Sequence, residues 1–127
     1  MIIQAYRLAE DPRILIPVNV CFDGFYSSHL TEGVWLPEQA DVDAFLPDPR
    51  TSLPALLNPD HPLSLDPLTA GPILMKYRKD HLEAMTRVLP VLEEIDAAFG
   101  KQFGRSYGGG IEAYRTDDAD RVLLPIA

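Results

Sequence analysis

The longest regular pattern of apolar positions lies between residues 72 and 103. Side chains that suit a helix face recur there at steps of three and four. They are Leu74, Tyr77, His81, Met85, Val88, Leu92, Ile95 and Phe99. Pro72 suits the first position of a helix, and Gly104 suits a C-terminal cap. The pattern predicts a long helix over residues 72–103, kinked or split near Pro90.

Three other segments are typical of strands. Residues 13–22 are apolar on both faces, as in an α/β sheet that is covered on both sides, although Pro17 favours an edge position. Residues 111–116 alternate with period two, and residues 122–126 form a second apolar run after a turn. We therefore expect an α/β fold with a C-terminal strand pair.

Two shorter helices and a proline-rich connection complete the prediction. Residues 1–10 and 38–46 have partial helical stripes. Residues 47–71 are rich in proline and should contain little regular structure. This segment also carries six leucines: Leu53, Leu56, Leu57, Leu63, Leu65 and Leu68. Two interpretations remain open, a connection that wraps a surface supplied by another element, or a flexible interdomain linker.

Both ends of the chain are apolar. The chain opens on a helix-like segment without a preceding cap, and its last seven residues, 121–127, resemble a buried strand. Domains usually start and stop in polar, exposed chain. We therefore interpret the sequence as an incomplete fragment of a larger α/β unit.

Composition narrows the class of protein. The 127 residues contain 11 Lys and Arg against 19 Asp and Glu, a net charge of −8, which argues against nucleic-acid or anionic membrane surfaces as partners. The sequence lacks the long apolar run of a membrane span and the pattern of a signal peptide. The single cysteine, Cys21, excludes an intrachain disulfide and a multi-cysteine cluster. A cytoplasmic location fits this composition best.

A glycine-rich run and the three histidines could carry chemistry, and each has a simpler interpretation. The glycine-rich run 104–110 follows a predicted helix and precedes a strand, the reverse of a phosphate-binding loop, so a turn is favoured. The histidines, His29, His61 and His81, lack the spacing of metal ligands, and His81 is expected to be a hydrogen-bonded core residue. We assign no catalytic, cofactor-binding or metal-binding residue.

The loop after the first predicted strand is the one weak candidate for a site near substrate or an interface. It contains Asp23, Gly24, Ser28 and His29. In α/β sheets, ligands bind beside loops that leave the carboxyl ends of strands. A simple Asp-Gly turn is the alternative.

Several stretches of the chain resemble one protein family, in the same order along the sequence. They are residues 3–11, 17–25 with Ser28 and His29, 38–47, 77–99, 103–107 and 111–120. These stretches resemble the α subunit of multi-subunit members of the pyruvate:ferredoxin (flavodoxin) oxidoreductase family. The run Phe-Gly-Arg-Ser-Tyr at 103–107, followed by Ile111 to Asp120, is the most specific part.

The resemblance implies a division of the chain into three parts. Residues 1–46 would be the tail of a pyrimidine-binding domain, residues 47–110 the connection with the long helix, and residues 111–127 the first strands of a transketolase C-terminal-like domain. The family's cofactor-activating glutamate would lie upstream of this segment. Its diphosphate, metal and cluster sites would lie in other domains or subunits.

The resemblance also implies an activity for the complete enzyme. That activity is oxidative decarboxylation of a 2-oxoacid, first of all pyruvate, to an acyl-CoA with electron transfer to ferredoxin or flavodoxin. Thiamine diphosphate, magnesium and iron–sulfur clusters are implied for the complete enzyme.

Two functional interpretations remain. The chain is either a structural and assembly segment of such an oxidoreductase, inactive alone, or a non-catalytic binding or assembly module from a split or truncated gene. In both, its partners are the remaining domains or subunits. The uncovered apolar surfaces predict a homo-oligomer when the chain is isolated, through paired long helices or exchanged strands.

Overall fold

Three helices form the regular structure of the residues that are described. The structure is a computed structural model that describes residues 1–26, 28–48, 58–64 and 68–125. Within these ranges, helix α1 spans Ile2–Ala9, α2 spans Gln39–Phe45 and α3 spans Pro72–Phe103. The three helices lie where the sequence predicts them. No helix in these ranges is long and apolar enough to cross a membrane.

Helix α3 dominates the fold and begins and ends at the expected residues. Pro72 occupies its first turn, and Gly104 ends it in the left-handed region at φ 71°, where its N–H donates to the Gly100 carbonyl. Its 32 residues span about 48 Å at 1.5 Å per residue. Pro90 lies inside this single helix, so the helix is not split there, whereas a kink near Pro90 stays a prediction.

The core lies where α1 and α2 pack against the C-terminal half of α3. Its buried members are Leu8, Ile14, Phe45, Val91, Ile95 and Phe99. Phe99 is the most deeply buried, and its ring centre lies 5.4 Å from that of Phe45 in an edge-to-face arrangement. Aromatic rings that meet edge to face gain energy beyond their buried area.

Polar contacts from α1 and α3 hold α2 in place. The Arg7 guanidinium lies over the Phe45 ring and donates to the Phe45 carbonyl at 2.8 Å. On the other side, Gln102 donates its side-chain N–H to the Asp41 carbonyl at 2.6 Å. The short helix is therefore fixed from two directions although few of its own side chains are buried.

The turn after α1 is attached to α3 by Arg13. Its guanidinium contacts Asp11 in two places and Glu94 at 2.8 Å. Arg87 on α3 donates its Nε–H to the Arg13 carbonyl. Elsewhere on α3, Glu83 pairs with Lys79. The hydrogen bond from Arg13 holds the pKa of Asp11 below its usual value. This turn brings Ile14 into the core.

The predicted strands are absent from the residues that the structure describes. Residues 13–22 begin in the turn just described and then run on without a paired strand. Residues 111–116 and 122–125 are also irregular, and Leu123 is 91% exposed. The last position of the expected strand pair, residue 126, lies outside the described residues. A strand needs a neighbour to satisfy its backbone N–H and C=O groups, and these helices offer none.

Part of the proline-rich connection is described. Asn58 accepts the Asp60 N–H at its side chain and the His61 N–H at its carbonyl, which makes a tight turn. Leu63 and Leu68 are exposed. Leu53, Leu56, Leu57 and Leu65 lie outside the described residues. Whether this connection wraps a surface or links domains flexibly stays a prediction.

Candidate functional site

A buried carboxylate, Asp96, organises the junction between α1, α3 and the segment that follows α3. Asp96 is 6% exposed. Its Oδ1 accepts hydrogen bonds from the Gln4 side chain at 2.8 Å and from the Tyr107 N–H at 3.0 Å. Its Oδ2 accepts from the Ser106 hydroxyl and from the Gly109 N–H at 3.2 Å. Four donors therefore surround one buried negative charge.

The glycine-rich segment can make this arrangement because of its backbone geometry. Gly108 and Gly109 have φ angles of 75° and 61°, in the left-handed region that favours glycine. A Cβ at Gly108 would lie 2.7 Å from the Ile111 carbonyl oxygen, so a larger residue would also clash. Successive amides in such a turn form a concave nest for an anion. Here the anion is supplied by the chain itself.

The contacts keep Asp96 ionised. The Ser106 hydroxyl lowers the pKa of Asp96 most, and the Tyr107, Gln4 and Gly109 donors add to the effect, while burial opposes it. The net result is a pKa below the usual value of an aspartate. A buried charge without such donors would be strongly destabilising. The carboxylate is therefore a fixed, negatively charged anchor at neutral pH.

Sequence reasoning missed this junction but contained a signal for it. Asp96 falls in the series Leu92, Asp96, Phe99 and Phe103, whose steps of four, three and four match the buried face of a helix. A charged residue on such a face calls for donors nearby. Gln4, the donor from α1, had no corresponding signal, because its partner is 92 positions away in the chain.

The structure brings the predicted loop residues together in one exposed turn. Asp23 accepts the Phe25 N–H at 2.8 Å, as an Asp-Gly turn requires, and Gly24 faces open space. Ser28 lies within hydrogen-bond distance of His29 Nδ1, at 3.2 Å. The His29 ring lies against the Phe25 ring, with 4.9 Å between their centres. These contacts order the loop, while its proximity to substrate or an interface stays a prediction.

His81 does not lie in the core, contrary to expectation. It is exposed and lines an open cleft of about 330 Å³ between α3 and the turn at residues 12–16. The α1–α2 core covers the C-terminal half of α3, whereas His81 belongs to the N-terminal half. A place on the apolar stripe was therefore not sufficient for burial.

Comparison with known proteins identifies the family. Residues 1–97 match the family described as pyruvate flavodoxin/ferredoxin oxidoreductase, thiamine diP-bdg (thiamine-diphosphate-binding). Because this match covers most of the chain, the protein belongs to that family. The resemblance inferred from the sequence is thereby confirmed.

Individual relatives agree with this assignment. The pyruvate synthase subunit PorA of Methanocaldococcus jannaschii is 40% identical over 126 residues, covering 97% of this chain and 32% of the relative. PorA of Pyrococcus furiosus is 39% identical over 98% of this chain and 31% of its own length. The α subunit of the NADH-dependent phenylglyoxylate dehydrogenase of Aromatoleum evansii is 36% identical, with 98% and 31% covered. The chain thus spans about a third of the length of these relatives.

The residues that the structure describes contain no cluster of metal ligands and no unoccupied phosphate cradle in the glycine-rich turn. In the ranges that the structure describes, no group of three or more His, Cys, Asp or Glu side chains could hold a metal ion. The amides of Tyr107 and Gly109, which resemble a phosphate cradle, are already engaged by Asp96. We therefore derive no catalytic step through the cofactor from these residues.

Proposed function

We propose that this chain is a structural and assembly segment of the α subunit of a 2-oxoacid:ferredoxin or flavodoxin oxidoreductase. The complete enzyme would oxidatively decarboxylate a 2-oxoacid, with pyruvate the first candidate, to an acyl-CoA. One observation carries the proposal: the similarity to the M. jannaschii pyruvate synthase subunit runs through 97% of the chain at 40% identity. Thiamine diphosphate, magnesium and iron–sulfur clusters would belong to the other parts of that enzyme.

In the complete subunit, we assign residues 1–46 to the end of the pyrimidine-binding α/β domain and residues 47–110 to the connection. Residues 111–127 would open the next domain. The segments 13–22 and 111–125 would then pair as strands with sheet neighbours from the rest of the subunit. Their apolar side chains, such as Val20 and Leu124, are exposed in this chain and would be covered by elements packed on the faces of that sheet.

The exposed apolar side chains favour an assembly role. Around the Asp23–His29 loop, Phe22, Tyr26 and Leu36 are each more than three-quarters exposed. Large apolar patches mark interaction surfaces. The partners would be the remaining domains or subunits, and Asp23, Gly24, Ser28 and His29 would lie near one such contact. The cytoplasm is the proposed location, since Cys21 is an exposed free thiol.

A chimera tests the proposal directly. The equivalent segment of the M. jannaschii subunit would be replaced by this chain and the complex assembled with its other subunits. We expect pyruvate- and coenzyme-A-dependent reduction of an electron-accepting dye, whereas a complex without the segment should be inactive. A folded, fully assembled chimera without activity would contradict the proposal.

The isolated chain provides the complementary test. Calorimetric titration with thiamine diphosphate and magnesium should show no binding in the micromolar range, because the described residues contain no cluster of ligands for the magnesium ion that accompanies the diphosphate. Micromolar binding would overturn the assignment of the cofactor site to other parts of the enzyme.

The second candidate, a non-catalytic binding or assembly module, is favoured by the same exposed aromatic residues. It predicts that the chimera assembles without activity, and that the chain alone captures a partner subunit. The chimera therefore separates the two candidates.

A further inference from the structure

We infer that the segment 106–109 is a backbone anion-binding nest and that the anion it binds is the Asp96 carboxylate. This nest with its bound carboxylate, called the latch below, sets the path by which residues 110–125 leave α3. The inference concerns the conformation of the chain. It does not depend on which reaction the complete enzyme performs.

The donors are arranged as a nest for one anion. The N–H groups of Tyr107 and Gly109 reach the two carboxylate oxygens of Asp96, one each. The N–H between them, of Gly108, donates to the Ser106 hydroxyl oxygen at 3.2 Å, and that hydroxyl donates to Asp96. Three consecutive amides thus converge on a single charge, directly or through one hydroxyl. An external phosphate would have to displace Asp96 from these same donors.

The latch folds the chain back along α3. A Cβ added to Gly109 would lie 3.4 Å from the Glu93 side chain, and one added to Gly110 would lie 2.4 Å from a Leu89 methyl group. Leu89 lies 14 residues before the end of the helix at Phe103. The chain has therefore returned about 20 Å along the helix axis by Gly110, at 1.5 Å per helical residue. Asp96 lies between Leu89 and Phe103 on the helix, and it holds the returning segment near its middle.

The link to α1 makes the latch part of the core. Gln4 is 5% exposed and donates to the same oxygen of Asp96 as Tyr107 does. The direction of the outgoing chain is therefore coupled to the packing of α1 on α3. In the complete subunit, this coupling would fix the chain that enters the following domain.

Amide hydrogen exchange at pH 7 tests the latch in the full 127-residue chain. In Asp96→Asn, which keeps the shape but removes the charge, protection of the Tyr107 and Gly109 amides should fall at least about tenfold. Asp80→Asn, an exposed carboxylate on the same helix, is the matched control and should leave both amides unchanged. Wild-type protection in Asp96→Asn would overturn the inference.

Chemical rescue supplies the second arm. Asp96→Ala empties the nest, and sodium formate, a free carboxylate of matching chemistry, should restore protection of the Tyr107 and Gly109 amides. Failure of formate to restore it in a folded variant would overturn the inference. If Asp96→Ala does not fold, Ser106→Ala replaces it: protection of Gly108 should be lost while the amides of Ile95 and Phe99 keep theirs. Unchanged Gly108 protection would count against the nest.

Discussion

The two halves of α3 carry one continuous stripe of apolar positions, yet the large apolar side chains on it are buried only in the C-terminal half; in the N-terminal half only the small Ala84 is buried. In the C-terminal half, Val91, Ile95 and Phe99 are buried beneath α1 and α2. In the N-terminal half, Tyr77 and Met85 occupy the same face and are about half exposed. Periodicity therefore predicts the helix and its apolar face. It does not predict which part of the face is covered, because the covering elements lie far away in the sequence.

The coverage of the apolar face of α3 decides where the stability of the chain lies. A covered apolar side chain contributes to stability through the water it excludes and the atoms it contacts, whereas an exposed one contributes little. The C-terminal half should therefore hold most of the folding free energy of this chain. The N-terminal half would gain its contribution only when another surface covers it.

The largest effect is expected from Phe99→Ala. Phe99 is 2% exposed and its ring contacts those of Phe45, Phe103 and Tyr107. Truncation of a buried phenylalanine lowers the free energy of unfolding by about 3–5 kcal/mol, which is enough to unfold a small chain. Chemical denaturation followed by circular dichroism would measure it. Leu82→Ala, at a position in the other half that is 65% exposed, should change stability by less than about 0.5 kcal/mol. Equal losses in the two variants would erase the distinction between the halves.

The second effect concerns Asp96 and pH. Because the folded-state pKa is lowered, ionised Asp96 stabilises the fold above its unfolded pKa of about 3.9, and this stability is lost as pH falls through the folded pKa. Asp96→Asn should cost about 2 kcal/mol at pH 7, since it leaves buried donors facing a neutral amide. Denaturation midpoints between pH 7 and 2.5 would measure both effects. The stability of the variant should fall less steeply at acid pH than that of the wild type. The same pH dependence in both proteins would refute the stabilising role of ionised Asp96.

The third effect lies at the boundary between the halves. Pro90 cannot donate a backbone hydrogen bond inside α3, so Pro90→Ala should restore one and raise helix propensity. The gain is reduced because alanine gives the unfolded chain more freedom. We expect a net stabilisation of about 1–2 kcal/mol. Thermal and chemical unfolding would check this value, with Leu82→Ala, exposed on the same helix, as the control. A loss of stability would show that the proline geometry is needed for packing.

The smallest effect on unfolding is expected from the exposed stripe. The double substitution Tyr77→Gln and Met85→Gln should change the free energy of unfolding by less than about 0.5 kcal/mol. It should, however, weaken the self-association predicted for the isolated chain, because the stripe is then no longer apolar. Sedimentation across a concentration range would show this. Leu82→Gln, apolar and exposed but off the stripe, is the control, and equal weakening by the control would mean that association does not use the stripe.

Much of the helical structure could be predicted from local sequence. Pro72 and Gly104 mark the ends of α3 by their own backbone preferences, and Asp11-Pro12 marks the end of α1. The strand at 13–22 could not be judged in this way, because a strand exists only with a neighbour. The Asp96 junction was hidden for a related reason. Its donors come from Gln4 and from backbone amides whose direction depends on the left-handed glycines.

The candidate loop shows the same contrast between local contacts, which sequence predicts, and distant contacts, which it does not. Asp23 and Gly24 form the turn that their residue types favour, and the contact between Ser28 and His29 is also local. Family membership was accessible from sequence because an ordered set of stretches resembles the family, and most of these stretches lie within the family match at residues 1–97. Whether the loop meets another molecule depends on groups from outside these segments, and no local pattern encodes them.

The contact between Trp35 and Arg105 gives the chain an optical reporter of its own. Trp35 is the single tryptophan in the sequence, and the Arg105 guanidinium carbon lies 5.2 Å from its ring centre. Arg105 directly precedes Ser106, the first residue of the turn that Asp96 holds. Indole fluorescence therefore follows the state of that turn without an introduced dye, while far-ultraviolet dichroism follows the helices. Stopped-flow traces recorded with both signals would time the release of the turn separately from the loss of the helices.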